Sequence, residues 1–359
     1  MTLPIPAPDA IPLPASGTLL EILLVATFAL HLVPMNLVLG GSVLALWSAL
    51  RATRSPHHAR LARWWARLFP VAVALTITSG VAPLLFLQVL YGPFFFSSSI
   101  LMAWPWLGII PLLLLGYYGF YWYSLQFEAL GRRGALVAAG SAACVTAIGF
   151  LFTNNLVLML QPEKWRALYT TGWPGVAWNA GDPSVLPRFL HFFVAALAVA
   201  GFAVLLLGVR RRQAEPEFGE WAIRLGARWF VGATLAQLLV GPWFLLSLPE
   251  PVRRIFLGGR MVETALLTLG IVLGILAVPL VLGRRPWEAA MALGGSLVLM
   301  AVVRDRVRAG YLAPHFSPQT LEVEPQTAAV VLFFLLLVLG LATVGWMVHR
   351  LFRSAGSRA

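Results

Sequence analysis

The sequence predicts an all-α polytopic membrane protein with about nine transmembrane helices, and three observations support this prediction. Of the 359 residues, 59% are hydrophobic. Only 11% are charged, less than half the share in a typical soluble domain, which excludes a soluble globular or a disordered protein. Apolar runs of about 20 residues, long enough to cross a hydrocarbon layer of about 30 Å, recur along the chain. Each run should be a helix, because lipid offers unpaired backbone groups no partners.

Nine segments meet the length criterion within a single integral membrane domain, 1–359. The predicted spans are 17–50, 68–92, 98–127, 134–161, 185–209, 228–249, 261–283, 287–304 and 325–350. A stretch rich in Gly, Pro and Ser, from Tyr91 to Ser99, divides the second span from the third. The eighth span is the shortest, because its charge-free run stops before Arg304.

The distribution of Lys and Arg predicts the orientation. The loops on one side of the nine spans carry about twice as many cations as the loops on the other side, and the positive-inside rule places the richer side in the cytoplasm. We therefore expect a multi-pass protein of a bacterial cytoplasmic membrane, with the N-terminus outside and the C-terminus inside. The N-terminal stretch has no basic region, so no cleavable signal peptide is expected.

Charge and cysteine content exclude further classes of protein. The net charge of +12 does not indicate nucleic-acid binding, because the cations lie between apolar runs and do not form a basic surface. The single cysteine, Cys144, excludes a disulfide framework, a Cys-based zinc site and a covalently attached c-type haem, which needs a CxxCH motif.

Ionisable residues inside a membrane are costly and mark functional sites by default. His31, in FALHLVPMN, has apolar neighbours and Met35 one turn further along the helix. Two interpretations stay open for His31. It bonds a carbonyl that Pro34 frees, or it is a ligand of haem iron between packed helices.

His191, in LPRFLHFFVAAL, is the stronger candidate for an iron ligand. It lies one to two turns inside the fifth span, with Arg188 three residues earlier on the same face. A cation one turn outward from an iron-binding imidazole suits a haem whose propionates point to the outer surface. The alternative is a partly wet histidine near the interface. His31 and His191 could also hold one iron between them.

The predicted outer side carries cations that the positive-inside rule does not explain. They are Arg253, Arg254, Arg260, Arg304, Arg306 and Arg308. Their presence there would be explained by haem propionates, by an acidic partner or by lipid headgroups that they bind. We assign Arg188, Arg253, Arg254 and Arg260 to cofactor binding.

Two residues at the start of the seventh span complete the candidate site. Met261 follows Arg260, and its thioether is either a sixth haem ligand or ordinary packing. Glu263 either pairs with Arg260 three residues before it or accepts a proton from a quinol, which is the catalytic role assigned to it.

Two outer segments are the candidate docking surfaces. The first, Glu163 to Ser184, carries Trp165, Trp173 and Trp178, as an interfacial lid would. The second, Ala309 to Glu324, contains His315, which is either a further ligand or a solvated loop residue.

Several motifs resemble one known family. LVATFALHLVPMNLVLGGSVLALWSAL, RWWARLFPVAVALTITSGV, FLFTNNLVLMLQPEKW and DPSVLPRFLHFFVAALAVAG are similar, in order and in His placement, to the helices in the N-terminal half of subunit I of the cytochrome bd-type quinol oxidases, over about Phe28 to Gly201. GGRMVETALLTLGIVLG resembles a later helix of that subunit. The resemblance implies a haem-binding bundle like that subunit, in which His191 and Met261 bind a low-spin haem b and His31 binds a second haem.

The chain departs from that family at two places. SSSILMAWPWLGIIPLLLLG has no carboxylate where the family's third helix carries glutamates, and Ser99 and Leu107 stand in their place. The family's large quinol-binding loop shrinks to SLPEPVRRIFLGGR. Oxygen chemistry needs delivered protons, so we expect electron transfer without terminal oxidase activity.

The resulting hypothesis is a membrane cytochrome b, a quinol-linked oxidoreductase subunit with one or two haems b. It would pass electrons between a membrane quinol and a c-type cytochrome or another membrane subunit outside the cytoplasm. The alternatives are a terminal oxygen or nitric-oxide reductase of the bd superfamily and a non-haem transporter or structural subunit. A lack of paired ionisable groups at the membrane midplane opposes the transporter.

Overall fold

The computed structural model describes residues 12–171, 174–179 and 181–356. These residues form a bundle of α-helices with short connections, and a single parallel bridge pairs Leu13 with Val323. The helices are α1 Gly17–Arg51, α2 Pro56–Leu101, α3 Ala103–Leu107, α4 Ile109–Leu125, α5 Phe127–Leu130, α6 Gly134–Met159, α7 Pro162–Thr171, α8 Val185–Arg211, α9 Pro216–Ser247, α10 Glu250–Arg254, α11 Met261–Leu282, α12 Pro286–Leu312 and α13 Thr327–Gly356.

Eight helical segments in the described part of the chain are long and apolar enough to cross a membrane. This confirms the predicted class of an all-α polytopic membrane protein. The segments are Gly17–Arg51, Pro56–Leu101, Ala103–Leu125, Phe127–Met159, Val185–Arg211, Pro216–Ser247, Met261–Leu282 and Pro286–Leu312. The predicted ninth span falls in α13, whose segment Thr327–Gly340 is apolar but shorter, so a ninth crossing stays a prediction.

Helix α2 continues through the stretch that the sequence indicated as a break. It runs to Leu101 and bends at Tyr91, where φ is −128° and ψ is 28°. Pro93 follows two residues later, and a proline inside a helix removes one hydrogen bond and bends the axis without ending the helix. The hydroxyl of Ser97 donates to the Pro93 carbonyl at 2.6 Å, so this polar side chain is satisfied within the helix. The turn into the third span therefore comes at Met102.

Helix α12 is also longer than predicted. It continues eight residues past the predicted end at Arg304 and stops at Leu312, so the three arginines of this segment lie on a helix and not in a loop. Arg308 is only 5% exposed, which shows that a cation does not end this helix when other helices cover its side chain. Helix α9 likewise begins at Pro216, well before the predicted position 228, with proline in its first turn.

Glycines allow the central helices to pack backbone against backbone. A Cβ atom added at Gly226 of α9 would lie 2.6 Å from the carbonyl oxygen of Gly201 on α8. A Cβ atom added at Gly40 of α1 would lie 2.9 Å from the amide nitrogen of Leu197 on α8. Small residues at such crossings let membrane helices approach closely. Helix α8 is therefore held between α1 and α9.

One end of the bundle, which we call the Gly17 end, collects the start of α1, the last part of α2, the start of α8 and the end of α12. Tyr91 Oη donates to Glu21 Oε1 at 3.3 Å, joining α2 to α1. The guanidinium carbon of Arg188 on α8 lies 5.9 Å from the ring centroid of Tyr311 on α12. The sequence predicts this end to be the outer one, and the sidedness stays a prediction.

Candidate functional site

His191 lies on the face of α8 that packs against α9. Its ring centroid is 5.7 Å from that of Phe244, and a Cβ atom at Gly241 would lie 3.9 Å from the imidazole. Gln237 of α9 donates to the backbone carbonyl of His191 at 2.7 Å. The Nδ1 atom is buried and has no hydrogen-bond partner among the described residues. Because a buried polar atom without a partner costs about 1–3 kcal/mol, the imidazole is available to a ligand.

Arg188 lies one turn before His191, as the sequence predicts. The residue is only 7% exposed, and its Nε and one terminal nitrogen are buried without a hydrogen-bond partner in the described part of the chain. Its guanidinium carbon lies 5.0 Å from the centroid of the Phe244 ring. Phe244 is therefore a shared neighbour of the unsatisfied imidazole and the unsatisfied guanidinium.

Two arginines of α12 complete what we call the arginine cluster, namely Arg188, Arg304 and Arg308. Arg308 forms an ion pair with Asp305 and lies 4.4 Å from the centroid of the Tyr91 ring. Arg304 interacts electrostatically with both other members of the cluster. In the sequence, Arg304 and Arg308 are cations that the positive-inside rule does not explain, and neither belongs to the predicted site. Their spacing of four residues could have indicated that they share a site. Residues four apart lie on one helix face, but this applies here only if α12 continues past residue 304.

His31 lies on α1 against α2. A Cβ atom at Gly80 would lie 2.9 Å from the ring carbon Cε1, so the absence of a side chain there makes room for the imidazole. His31 Nδ1 lies 3.3 Å from the Ser79 hydroxyl oxygen. This hydrogen bond is of the kind expected for a structural histidine, although the partner is Ser79 and not a carbonyl freed by Pro34. His31 is therefore the weaker of the two candidate ligands.

Phe28 connects His31 with the arginine cluster. The centroid of its ring lies 6.4 Å from that of His31, and the guanidinium carbon of Arg304 lies 4.1 Å from it. The two candidate imidazoles thus occupy neighbouring helices, with the cluster close to both. This juxtaposition brings together residues from α1, α8 and α12.

The other predicted cofactor-binding cations lie at the surface, and the structure does not bring them to His191. Arg254 pairs with Glu250 at 2.5 Å, and Arg253 donates to the Leu246 carbonyl at 3.1 Å. Arg260 lies 3.7 Å from the carboxylate of Glu263. The reason is local, since a π-helical turn at Ile255–Gly259, with Gly258 at φ 95°, leads the chain along the surface before α11 begins.

Met261 and Glu263 open helix α11. Met261 is 87% exposed, so its thioether is not packed against the candidate iron ligand His191, and its assignment as a sixth ligand rests on the sequence alone. The Glu263 side chain is 13% exposed and forms the ion pair with Arg260 that was the simpler of the two interpretations. Both residues lie in the first turn of α11, at the Gly17 end of the bundle, directly after the surface turn.

A polar network holds the segment before α8 in place. The carboxylate of Asp182 accepts hydrogen bonds from Lys164 at 2.6 Å, from Gln161 at 2.7 Å and from the Ser184 hydroxyl at 2.6 Å. Burial by itself would raise the pKa of Asp182, but these hydrogen bonds outweigh it and lower the pKa to about 2. The network therefore anchors the chain at the entrance to α8, just before Arg188.

The same segment is tied to α6 and contains the predicted lid. The Asn179 side chain donates to Gln161 at 3.0 Å, and its backbone amide donates to Asn154 of α6 at 3.1 Å. Trp165 is buried and donates to the Leu158 carbonyl at 2.9 Å, whereas Trp178 is 45% exposed. Trp173 lies outside the described residues. Among the residues that are described, no group of three or more His, Cys, Asp or Glu side chains could hold a metal ion.

The second docking candidate, Ala309 to Glu324, is partly helical. Its first residues continue α12 to Leu312, and a short 3-10 turn follows at Pro318–Thr320. His315 is exposed between them. An exposed loop histidine matches the solvated alternative that the sequence left open.

Comparison with known proteins shows the fold. No protein-family model matches the chain, and no curated protein matches its sequence. The structure is similar to a chain in the structure of bd oxidase from Geobacillus thermodenitrificans, with a TM-score of 0.71 and 14% identity. The match covers 95% of this chain and 99% of that chain, well beyond the region that carried the sequence resemblance. At this identity the likeness establishes a bd-oxidase-like fold.

Proposed function

We propose that this protein is a membrane-bound b-type cytochrome that passes electrons between a membrane quinol and a c-type cytochrome or another subunit outside the cytoplasmic membrane. One observation carries the proposal. His191, whose Nδ1 atom is buried, lies one turn from the buried guanidinium of Arg188, and neither Nδ1 nor two of the guanidinium nitrogens have a hydrogen-bond partner among the described residues. The bd-oxidase-like fold, seen in a quinol oxidase family, supports it.

The donor set fits a haem b. Porphyrin iron takes a neutral imidazole as axial ligand, and guanidinium groups pair with propionates. His191 would hold the iron, Arg188 would hold a propionate, and Phe244 would shield both from lipid and water. Bound haem supplies one-electron chemistry at a potential tuned by its ligands and burial. His31 is the second candidate ligand, for a second haem b, and Met261 the candidate sixth ligand.

The quinol would react at the Gly17 end of α11. Each quinol oxidised to quinone releases two electrons to the haem chain, one at a time, and two protons to the outer side. Glu263 is the proposed proton acceptor, because its carboxylate is mostly buried and is paired with a single exposed cation, Arg260. The Trp-bearing segment before α8 and the loop after α12 are the proposed docking surfaces for the electron partner.

The second candidate function is a terminal oxygen or nitric-oxide reductase, and the fold likeness to a bd oxidase favours it. The stretch from Ser97 to Gly116 argues against it, because it contains no carboxylate or histidine to deliver protons. The polar groups nearest this stretch are amides and hydroxyls, such as Asn155, which donates to Ser99 Oγ at 3.2 Å. Neutral amides do not release protons in the physiological range.

Spectra of the purified protein test these functions. We expect sharp b-type bands in the reduced-minus-oxidised difference spectrum and no change on adding carbon monoxide. A high-spin haem whose spectrum changes with carbon monoxide would contradict the electron-transfer function and support the reductase. A flat spectrum, from protein expressed with ample haem supply, would overturn every haem assignment and leave the non-haem membrane subunit.

A further inference from the structure

The arginine cluster carries more positive charge than the protein neutralises. Arg188, Arg304 and Arg308 face one buried carboxylate, Asp305. Two further carboxylates interact with the cluster, Glu21 with Arg308 and Asp182 with Arg188. Each is shared with a cation outside the cluster, Arg306 for Glu21 and Lys164 for Asp182. Counted together, these five cations exceed the three carboxylates by two positive charges.

The unmatched charge is buried, which makes it costly. Arg188 and Arg308 are 7% and 5% exposed, and Arg304 is partly buried. Arg188 Nε and one of its terminal nitrogens have no hydrogen-bond partner among the described residues, and neither has Arg308 Nε. The hydroxyl of Tyr311, within the same space, is also buried without a partner there. An uncompensated buried charge costs several kcal/mol, so an anionic occupant with two negative charges would stabilise this space.

We propose that the arginine cluster is a dicarboxylate site that receives both propionates of the haem held by His191, with Arg304 and Arg308 of α12 binding them together with Arg188 of α8. This inference rests on the proposed function and extends it, because neither arginine of α12 belongs to the predicted site. The four-residue spacing of Arg304 and Arg308 puts them on one face of α12, and Arg188 reaches the same space from α8. Tyr311 supplies a further hydrogen-bond donor.

The same chemistry would also suit the phosphate of a lipid headgroup, and the two anions can be distinguished. Haem b and its dimethyl ester have the same iron and the same ring but differ in the two negative charges. Apoprotein is made under haem limitation, purified in detergent and titrated with each compound, and the dissociation constants are followed by absorbance. We expect wild-type protein to bind haem at least tenfold more tightly than the diester.

Variants identify the residues. Arg304→Gln should lower the ratio of the dissociation constant for the diester to that for haem several-fold, towards one. The matched control is Arg306→Gln, because Arg306 lies on the same helix but is exposed, and it should keep the wild-type preference. The wild-type comparison requires no variant, so a misfolded Arg304→Gln protein would not prevent the test.

The outcomes separate the two proposals. Equal affinity of wild-type protein for haem and diester overturns the dicarboxylate site but leaves the cytochrome intact. A preference that survives Arg304→Gln and Arg308→Gln also overturns it. If anionic phospholipid raises the unfolding temperature of wild-type apoprotein but not of Arg304→Gln, while haem and diester bind equally, the cluster is a lipid site. Failure of wild-type protein to bind either porphyrin overturns the proposed function itself.

Discussion

The two membrane histidines differ in what their ring nitrogens meet. The Nδ1 atom of His31 has the Ser79 hydroxyl at 3.3 Å, whereas the Nδ1 atom of His191 is buried without a partner in the described residues. A satisfied imidazole can serve the fold without a cofactor, whereas a bound ligand would offset the cost of an unsatisfied one. The sequence ranked His191 above His31 by its neighbouring arginine, and the packing ranks them in the same order for a different reason.

Histidine substitutions test this order. We expect His191→Ala to abolish the low-spin b-type signal and to remove most of the bound haem, because it removes the imidazole that would hold the iron in the proposed function. His31→Ala should reduce the haem-to-protein ratio less, and it should leave the low-spin signal in place. His315→Ala is the control, since this residue is exposed in a loop. Haem content by pyridine haemochrome and the difference spectrum give the measurement, and unchanged content in His191→Ala would show that the site is wrongly assigned.

At the scale of elements, close helix contacts and one polar anchor position the site. Helices α8 and α9 meet through glycines, which sets Gln237 and Phe244 of α9 against His191. The Asp182 network fixes the segment that leads into α8. Both the glycine contacts and the Asp182 network position α8, so a change in either should shift Arg188 and His191.

A methyl group at the α8–α9 contact should destabilise the protein. Gly226→Ala would place a Cβ atom against the backbone of α8, and overpacking of this kind costs about 1–3 kcal/mol. Gly232→Ala on the same helix is the matched control, because nothing lies within 4 Å of its added Cβ atom. Thermal unfolding in detergent should show a lower midpoint for Gly226→Ala and an unchanged or higher one for Gly232→Ala. Equal midpoints would mean that the glycine contact does not hold the helices together.

The Asp182 anchor should make stability depend on pH at the acid end. The folded state lowers the pKa of Asp182 from 3.8 to about 2. The stabilisation is therefore fully present above pH 4 and is lost as the pH falls from about 4 towards 2. At neutral pH we expect Asp182→Asn to lose about 1–2 kcal/mol of unfolding free energy, allowing for partial exposure.

The pH test needs unfolding curves of both proteins at several pH values. The difference between wild-type protein and Asp182→Asn should be constant from pH 7 to about 5 and should shrink below pH 4. Glu163→Gln, an exposed neighbour on α7, should follow wild-type protein throughout. A difference that persists unchanged at the lowest pH would contradict a role for the ionised carboxylate.

At the scale of the whole molecule, the excess of buried positive charge lies at the Gly17 end. The loops at the opposite end carry exposed arginines, such as Arg132 and Arg284, as a cytoplasmic face would. The Gly17 end has exposed arginines too, such as Arg254, but it also encloses Arg188, Arg304 and Arg308 between α1, α8 and α12. A bundle with this division of charge can satisfy the positive-inside rule and still place a strongly cationic site near the other membrane surface.

Accessibility labelling tests the orientation. In a Cys144→Ser background, His315→Cys should react with a membrane-impermeant maleimide added to intact cells, because the loop after α12 is expected outside. Arg132→Cys should react only after the membrane is permeabilised. The reverse pattern would place the Gly17 end in the cytoplasm and would move the proposed docking surfaces to the wrong side for a c-type cytochrome.

The helical and apolar character of the spans could be predicted from the sequence, because lipid acts as a uniform solvent that forces each apolar run into a helix whatever its neighbours are. The position of Arg188 one turn before His191 could also be predicted, since it depends on spacing within one helix. The exact ends could not. Helix α2 passes its Gly-Pro stretch and α12 passes Arg304, because neighbouring helices bury residues that would end a helix standing alone.

The tertiary structure alone decided what surrounds the two histidines and which cations are buried. Arg253, Arg254 and Arg260 have the same residue type and predicted side as Arg304 and Arg308. The first group flanks the surface turn at Ile255–Gly259, whereas the second faces the space between α1, α8 and α12. Residues more than a hundred positions apart, such as Arg188 and Arg304, meet only after the helices have packed. The sequence by itself determined a helical membrane bundle with candidate ligands, whereas the packing, which depends on long-range contacts, determined which charged side chains lie buried together.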